Sequence, residues 1–112
     1  MSLILAPIAD GKLGTWKQWA TDLEQSKAEE FKDFNSRYGL TRHSAWLAET
    51  PGGPIVAVLH EGPGSEDFMS KLATSDHEFD VWFRESITEL HNIDFSIPVP
   101  GSPPQLLINQ VA

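Results

Sequence analysis

Histidines are the side chains of this sequence best suited to acid–base or metal chemistry, because an imidazole exchanges its proton near neutral pH and binds metal ions. There are four of them, at positions 43, 60, 77 and 91. His77 and His91 lie nearly four helical turns apart, so they cannot ligate one ion within a single chain. Cysteine is absent, which excludes thiolate nucleophiles and cysteine-based metal sites. We predict no metal site and no cofactor.

His43 and His60 fall on the two arms of a predicted β-hairpin. A turn centred near Gly52 places His60 opposite Ser44, and this register puts His60 and Trp46 on the same sheet face as diagonal neighbours. Three interpretations of these two histidines remain open. They are partly buried structural residues, part of a two-histidine-plus-carboxylate site, or polar groups in a pocket in which His60 acts as a base.

Ser75, His77 and Asp80 mark the start of a predicted helix. The order Ser-Asp-His-Glu fits the capping box, with Ser75 as the N-cap and Glu78 at the third helical position. A capping hydroxyl is committed to the backbone, so we do not expect a Ser–His–Asp triad. His77 could still act as a general base, oriented by Asp80 one turn further on. The candidate catalytic residues are therefore His60 and His77.

Aromatic side chains are abundant, with four tryptophans and six phenylalanines. On the predicted helices they recur every three or four residues, on the faces that pack against the sheet. They either fill the core or form the walls of a cavity for a flat apolar ligand. The residues predicted to bind such a ligand are Trp46, His43, Phe79, Asp80, Trp82 and Phe83.

The composition excludes several classes of partner. A net charge of −8 over 112 residues argues against nucleic acids and anionic membrane surfaces. The longest apolar run, residues 55–59, is far shorter than the ~20 residues of a membrane-spanning helix. The first residues lack the basic region of a signal peptide, so we expect a cytoplasmic protein. The length predicts a single domain covering residues 1–112.

Hydrophobic periodicity and turn residues divide the chain into strands and helices. The predicted elements are a strand at 3–8, a long helix at 15–38 that breaks near Ser26 and ends at Gly39, a hairpin of strands at 41–49 and 54–60, a short helix at 65–73, a second long helix at 76–91, an irregular loop at 93–102 and a last strand at 105–111.

This order predicts an α+β ferredoxin-like βαββαβ sandwich with both helices on one sheet face. At 55–59 both the odd and the even positions are apolar, which indicates a strand that is buried on both faces. Residues 95–112 contain no charged side chain, which indicates packing against another surface. A second copy covering the free sheet face would satisfy both observations, so we predict a homodimeric α/β barrel.

The element order, the broken first helix and the segment at 75–83, SDHEFDVWF, resemble a small family of uncharacterised bacterial proteins in the dimeric α/β-barrel superfamily. That family carries a Ser-x-His-x-x-Asp pattern at the start of its second long helix and a Gly/Pro-rich tail similar to residues 93–104. The resemblance implies the fold and the dimer. It implies no single activity, because the superfamily includes cofactor-independent monooxygenases, lactone isomerases, haem enzymes and stress-responsive proteins.

Three functions remain open at this point. The first is a binding protein that holds a small apolar or aromatic ligand between sheet and helices. The second is a cofactor-independent monooxygenase or isomerase that uses a histidine base in the same pocket. The third is a structural or interaction module without a ligand. A titratable side chain that reaches into the pocket distinguishes the second from the first.

Overall fold

A computed structural model of the chain describes residues 1–96 and 104–111. These residues form an α+β fold, as predicted. The elements in chain order are β1 (Ser2–Pro7), α1 (Leu13–Glu24), α2 (Ala28–Arg37), β2 (Arg42–Thr50), β3 (Gly53–Glu61), α3 (Phe68–Thr74) and α4 (Glu78–His91).

The three strands form one antiparallel sheet in the order β1-β3-β2. After β1 the chain passes through α1 and α2 and then enters the sheet at its opposite edge as β2. The hairpin turn then brings β3 into the middle. The central strand is the most buried of the three, because it has a neighbouring strand on each side and helices over one face.

The long first helix is broken where the sequence predicted it. Helix α1 ends at Glu24 and α2 begins at Ala28, and the amides of Gln25 and Lys27 both donate to the carbonyl of Asp22. The break arises because residues 24–27 offer no apolar side chain to hold that turn against the core. Gly39 has a positive φ of 68° and ends α2, as expected of a residue at this position.

The predicted hairpin is confirmed, but its predicted register is wrong by one residue. His43 lies directly opposite His60, and Trp46 lies opposite Ala57. The turn contains only two residues between paired Thr50 and Gly53, which moves the pairing relative to a turn centred on Gly52. Because side chains alternate along a strand, this shift places Trp46 on the opposite sheet face from His60.

The predicted last strand is not formed among the described residues. Residues 104–111 have no regular secondary structure, and their apolar side chains are exposed, Leu107 to 81%. An apolar segment with β-propensity still needs a neighbouring strand to bond its backbone, and within the described chain this segment pairs with none. The predicted loop at 93–102 is irregular over 93–96, and its remainder lies outside the described residues.

Three buried phenylalanines hold the helices over the inner sheet face. Phe34 of α2 stacks on Phe83 of α4 with ring centroids 4.7 Å apart, and Phe68 of α3 lies 5.7 Å from it, edge-on. The Phe68 ring also lies 4.5 Å from the imidazole of His60. The aromatic core therefore extends onto the histidines of the hairpin, where it buries His60 and partly buries His43.

Candidate functional site

A cavity of about 420 Å³ lies between the inner sheet face and the helices. Its volume falls within the range of small-molecule sites. Apolar side chains from both layers form most of its lining, and the aromatic ones are Trp16, Trp19, Phe31, Phe68 and Phe83. The titratable side chains in the described lining are His43, His60, His91 and Glu24.

His43 and His60 meet directly inside this lining. They face each other across β2 and β3, and their Nε2 atoms are 3.2 Å apart. His60 is only 2% exposed. On the side of the His43 ring away from His60, its Nδ1 lies 2.9 Å from the side-chain oxygen of Asn35 on α2. The two imidazoles therefore form a chain that begins at Asn35.

The bond to Asn35 sets the tautomer of both histidines. An amide oxygen only accepts, so the Nδ1 of His43 carries the proton and donates it to Asn35. The Nε2 of neutral His43 is then an acceptor, and the Nε2 of His60 donates to it. Neutral His60 is left with a lone pair on Nδ1. That atom is buried and has no hydrogen-bond partner among residues 1–96 and 104–111.

Burial keeps the two histidines neutral at physiological pH. Desolvation, together with the neighbouring His60, lowers the pKa of His43 to about 3. Desolvation lowers the pKa of His60 to about 4. A charged imidazole is disfavoured here because the aromatic walls cannot replace its water. The pair therefore provides hydrogen-bonding groups without charge.

His91 contributes to the walls of the cavity as a structural residue. Its Nδ1 donates to the carbonyl of Pro7 at 2.7 Å, and its Nε2 accepts from the Nε1 of Trp16 at 3.0 Å. Both ring nitrogens are thus used. Burial lowers the pKa of His91, which keeps this arrangement neutral. These bonds fix the end of α4 and the Trp16 ring beside β1.

Trp19 lines the cavity with its ring and carries a second buried polar atom without a partner among the described residues. Its ring packs against Trp16, Trp82 and Phe83 at centroid distances of 5.0 to 6.2 Å. The indole Nε1 is buried, and no described residue accepts its proton. An indole nitrogen can only donate. Trp19 thus carries an unpaired donor and His60 an unpaired acceptor, and both atoms are buried rather than exposed on the cavity surface.

Asp80 lies outside the cavity, in a structural network. The carboxylate is 1% exposed and accepts two bonds from Arg37, at 2.7 and 3.1 Å. It also accepts from the hydroxyls of Tyr38 and Ser75, at 2.8 and 2.7 Å. Burial by itself raises the pKa of Asp80, but the bonds from Arg37, Ser75 and Tyr38 outweigh it and lower the pKa to about 2. The network joins α4 to the end of α2.

The predicted capping box is not formed, because neither Ser75 nor Glu78 occupies its predicted position. Helix α4 begins at Glu78, and its N-cap is His77, whose Nδ1 accepts from the amide of Phe79 at 3.3 Å. Ser75 instead directs its hydroxyl to Asp80. The Nδ1 of His77 lies 3.8 Å from the Asp80 carboxylate, too far for a hydrogen bond, so Asp80 does not orient His77 as predicted.

The other predicted site residues are divided among three places. His43, His60 and Phe83 line the cavity. Phe79 and Trp82 line a more open surface groove, together with His77 and charged residues of α2. Trp46 is 50% exposed on the outer sheet face, so its predicted role as a wall beside His60 is wrong for this cavity.

Sequence reasoning missed several residues of the site, among them Trp16 and Trp19. Phe31 and Phe68 form aromatic walls, and Asn35 sets the tautomer of His43. Phe31 and Asn35 are four positions apart on α2 and therefore lie on the same helix face. That spacing is the signal that could have placed Asn35 toward the sheet.

Comparisons of the chain with models of protein families, with curated proteins and with solved structures found no match. The resemblance to the dimeric α/β-barrel family therefore stays a prediction. Of the helices described in the structure, none is long and apolar enough to cross a membrane. The described residues contain no cluster of three or more side chains arranged to hold a metal ion.

Proposed function

We propose that the protein binds a small, uncharged and largely apolar molecule in the cavity between the sheet and the helices. The observation that carries this proposal is the composition of one 420 Å³ space. Aromatic and aliphatic side chains form most of its walls, and the polar side chains of the described lining are few, namely Glu24, Ser44 and three histidines. Such a combination of apolar walls and few polar groups is typical of small-molecule sites.

The charges around the cavity favour an uncharged ligand. The described lining contains no lysine or arginine, and its carboxylate belongs to Glu24. An anionic ligand would lose its hydration without gaining a cationic partner, which is strongly unfavourable. The lowered pKa values of His43 and His60 keep the histidines from supplying that positive charge.

A second candidate is an enzyme that uses His60 as a base, which corresponds to the cofactor-independent monooxygenase or isomerase of the sequence analysis. The observation that favours it is the lone pair on Nδ1 of His60. The pKa of about 4 makes this imidazole a weak base at neutral pH, because general bases work best near the operating pH. Binding is therefore the function that this environment supports better.

The test of binding uses an uncharged fluorescent probe, N-phenyl-1-naphthylamine, excited by energy transfer from the tryptophans. We expect saturable binding that weakens by about tenfold in Ala20→Phe, because the new ring occupies the cavity. Gln18→Phe, exposed on the same helix, is the matched control and should bind like the unmodified protein. Equal binding by both folded variants would show that the probe sits elsewhere and would contradict the proposal.

We further propose that two copies pair through the outer sheet face and the C-terminal segment. That face presents an apolar surface from all three strands, including half-exposed Leu5 and Trp46. An ion pair between Arg42 and Glu61 borders it at one end. Because the chain carries a net charge of −8, two copies repel each other least where their surfaces are uncharged. The free edge of β1 leaves room for residues 105–111 as a fourth strand, as in a ferredoxin-like sheet.

Light scattering at micromolar concentration tests the pairing. We expect a mass of about twice 12.4 kDa. Leu5→Lys should give the monomer mass, because it places a charge within the apolar face. Ser36→Lys, exposed on α2, introduces the same charge and should remain a dimer. A monomer mass for the unmodified protein would exclude the barrel.

A further inference from the structure

The C-terminal segment, residues 105–111, presents an apolar surface to solvent. Leu106, Leu107, Ile108 and Val111 are 61 to 84% exposed, and the segment contains no charged residue. In an extended chain these side chains fall on both faces, with Leu106 and Ile108 on one and Leu107 and Val111 on the other. A strand that is apolar on both faces belongs where both faces are covered. The segment therefore needs a neighbouring strand and a layer on each side.

The free edge of β1 provides a place for such a strand. Within the described residues β1 pairs with β3 along one side, so the backbone groups along its other side have no strand to bond. An extended segment can add to an edge of this kind through main-chain hydrogen bonds. The inner face of the added strand would continue the sheet face that the helices cover. Its outer face would continue the apolar outer sheet face, which includes Leu3 and Leu5.

Two observations favour the β1 edge of a second copy over that of the same chain. The segment stays exposed and leaves its own β1 edge unused, although the end of α4 lies beside the end of β1, where the Ala9 amide donates to the carbonyl of Leu90 at 2.8 Å. A strand within one chain would therefore need only a short connection. Thirteen residues instead separate His91 from Gln105. Fully extended, they would span about 45 Å, more than the 38 Å of the longest molecular dimension.

The cavity extends to the same edge of the sheet. Its lining includes Ile4 and Ala6 of β1, together with Ile93, which follows α4. Because β1 is the last strand of the described sheet on this side, the sheet wall of the cavity ends there in one copy. Ile4 is only half-buried, so the described chain does not fully cover this side. A further strand along β1 would extend the apolar wall beyond Ile4.

We infer that two copies exchange their C-terminal segments, each adding residues 105–111 to the β1 edge of the other, and that Leu106 and Ile108 of one copy complete the cavity wall of the other. Exchange of an identical element is a common route to symmetric dimers. Each cavity is then built from both copies and is complete only in the dimer. Ligand binding and pairing therefore strengthen each other. This inference rests on the proposed function, because it names the partner that completes the same site.

Isotope-filtered NMR distinguishes exchange between copies from pairing within one chain. Copies labelled with ¹³C and ¹⁵N are unfolded together with an equal amount of unlabelled copies and refolded at a concentration at which light scattering reports the dimer. We expect nuclear Overhauser contacts between Ile108 of one copy and β1 of the other. Contacts confined to one copy, or the absence of contacts between the segment and β1, would overturn the inference. Either result would leave the proposed binding in the cavity intact.

Binding of N-phenyl-1-naphthylamine tests whether the second copy completes the cavity. We expect about tenfold weaker binding in Leu5→Lys, which should be monomeric, and in Ile108→Glu, which places a charge in the completed wall. Leu5 does not belong to the cavity lining, and Ile108 is 84% exposed in one copy, so neither change alters the cavity of an isolated chain. Gln105→Glu is the matched control, because it adds the same charge at a position that is already polar, and it should bind like the unmodified protein.

The outcomes separate the inference from the proposed function. Unchanged affinity in both Leu5→Lys and Ile108→Glu would overturn the inference, since the probe would then bind equally well to a cavity formed by one copy. Failure of the probe to bind the unmodified protein would instead contradict the proposed function. Ile108→Glu decides the question even if Leu5→Lys does not fold, because the segment of residues 105–111 is exposed in one copy.

Discussion

Replacing Asp80 by asparagine is expected to lower the free energy of unfolding by about 3 kcal/mol. The carboxylate is 1% exposed and accepts bonds from Arg37, Tyr38 and Ser75. An asparagine of the same shape would turn an amide NH₂ toward these donors and leave Arg37 without its charged partner. Arg37 is partly exposed and can recover some water, so we place the cost at the lower end for a broken buried pair. Urea unfolding at pH 7 measures it.

Asp33→Asn is the matched control for this prediction. Asp33 also bonds Arg37, at 2.9 Å, but its side chain is 62% exposed. An exposed pair contributes little, so we expect a loss below about 1 kcal/mol. Comparable losses in the two variants would mean that burial is not what makes the Asp80 network stabilising.

A substitution at Ser75 distinguishes its predicted role as a helix N-cap from its hydrogen bond to Asp80. A helix N-cap tolerates Ser→Asp at little cost. Because the Ser75 hydroxyl lies 2.7 Å from the carboxylate of Asp80, Ser75→Asp would instead bring two negative charges together. We therefore expect Ser75→Asp to be less stable than Ser75→Ala. The opposite order would restore Ser75 as the cap.

Lowering the pH from 7 to 5 is expected to destabilise the protein through His43 and His60. Their folded-state pKa values, about 3 and about 4, lie below the ordinary value of 6.5. Below pH 6.5 these histidines are protonated in the unfolded chain but stay neutral in the folded protein. The free energy of unfolding therefore decreases as the pH falls, until the folded-state pKa values are reached. Each histidine contributes a slope of up to about 1.4 kcal/mol per pH unit in this window.

The double variant His43→Leu/His60→Leu should reduce this pH dependence strongly. His91, whose pKa is also lowered by burial, is unchanged in this variant and still contributes to the pH dependence of stability. Asp80 does not interfere, because its pKa of about 2 confines its contribution to pH values below about 4. Urea unfolding at pH 7, 6 and 5 provides the comparison. A flat profile in the unmodified protein would contradict the buried, neutral state of the histidine pair.

The elements themselves were largely predictable from the sequence. The break near Ser26, the left-handed Gly39 and the hairpin with its two histidines all depend on residues a few positions apart, and each is present in the structure. The prediction of an aromatic site between sheet and helices also named His43, His60 and Phe83, which line the cavity. Local periodicity was sufficient for these, because helices and hairpins are formed by neighbours in sequence.

The contents of the site were decided by contacts that no local pattern records. A difference of one residue in the turn brought His43 against His60 and moved Trp46 to the outer face. The segment at 105–111 looked like a strand, but it is exposed in the described chain because a strand also needs a partner edge.

The sequence by itself determined which elements form, where the chain turns and which polar residues lie on the hairpin. Only the tertiary structure decided which of them meet. Asp80 bonds Arg37 and Tyr38, 43 and 42 residues away, so Ser75 serves that carboxylate and His77 becomes the cap. Asn35 meets His43 only because α2 packs over the sheet. The physical reason is that capping and periodicity act within a turn or two, whereas hydrogen bonds in the core satisfy groups brought together by packing.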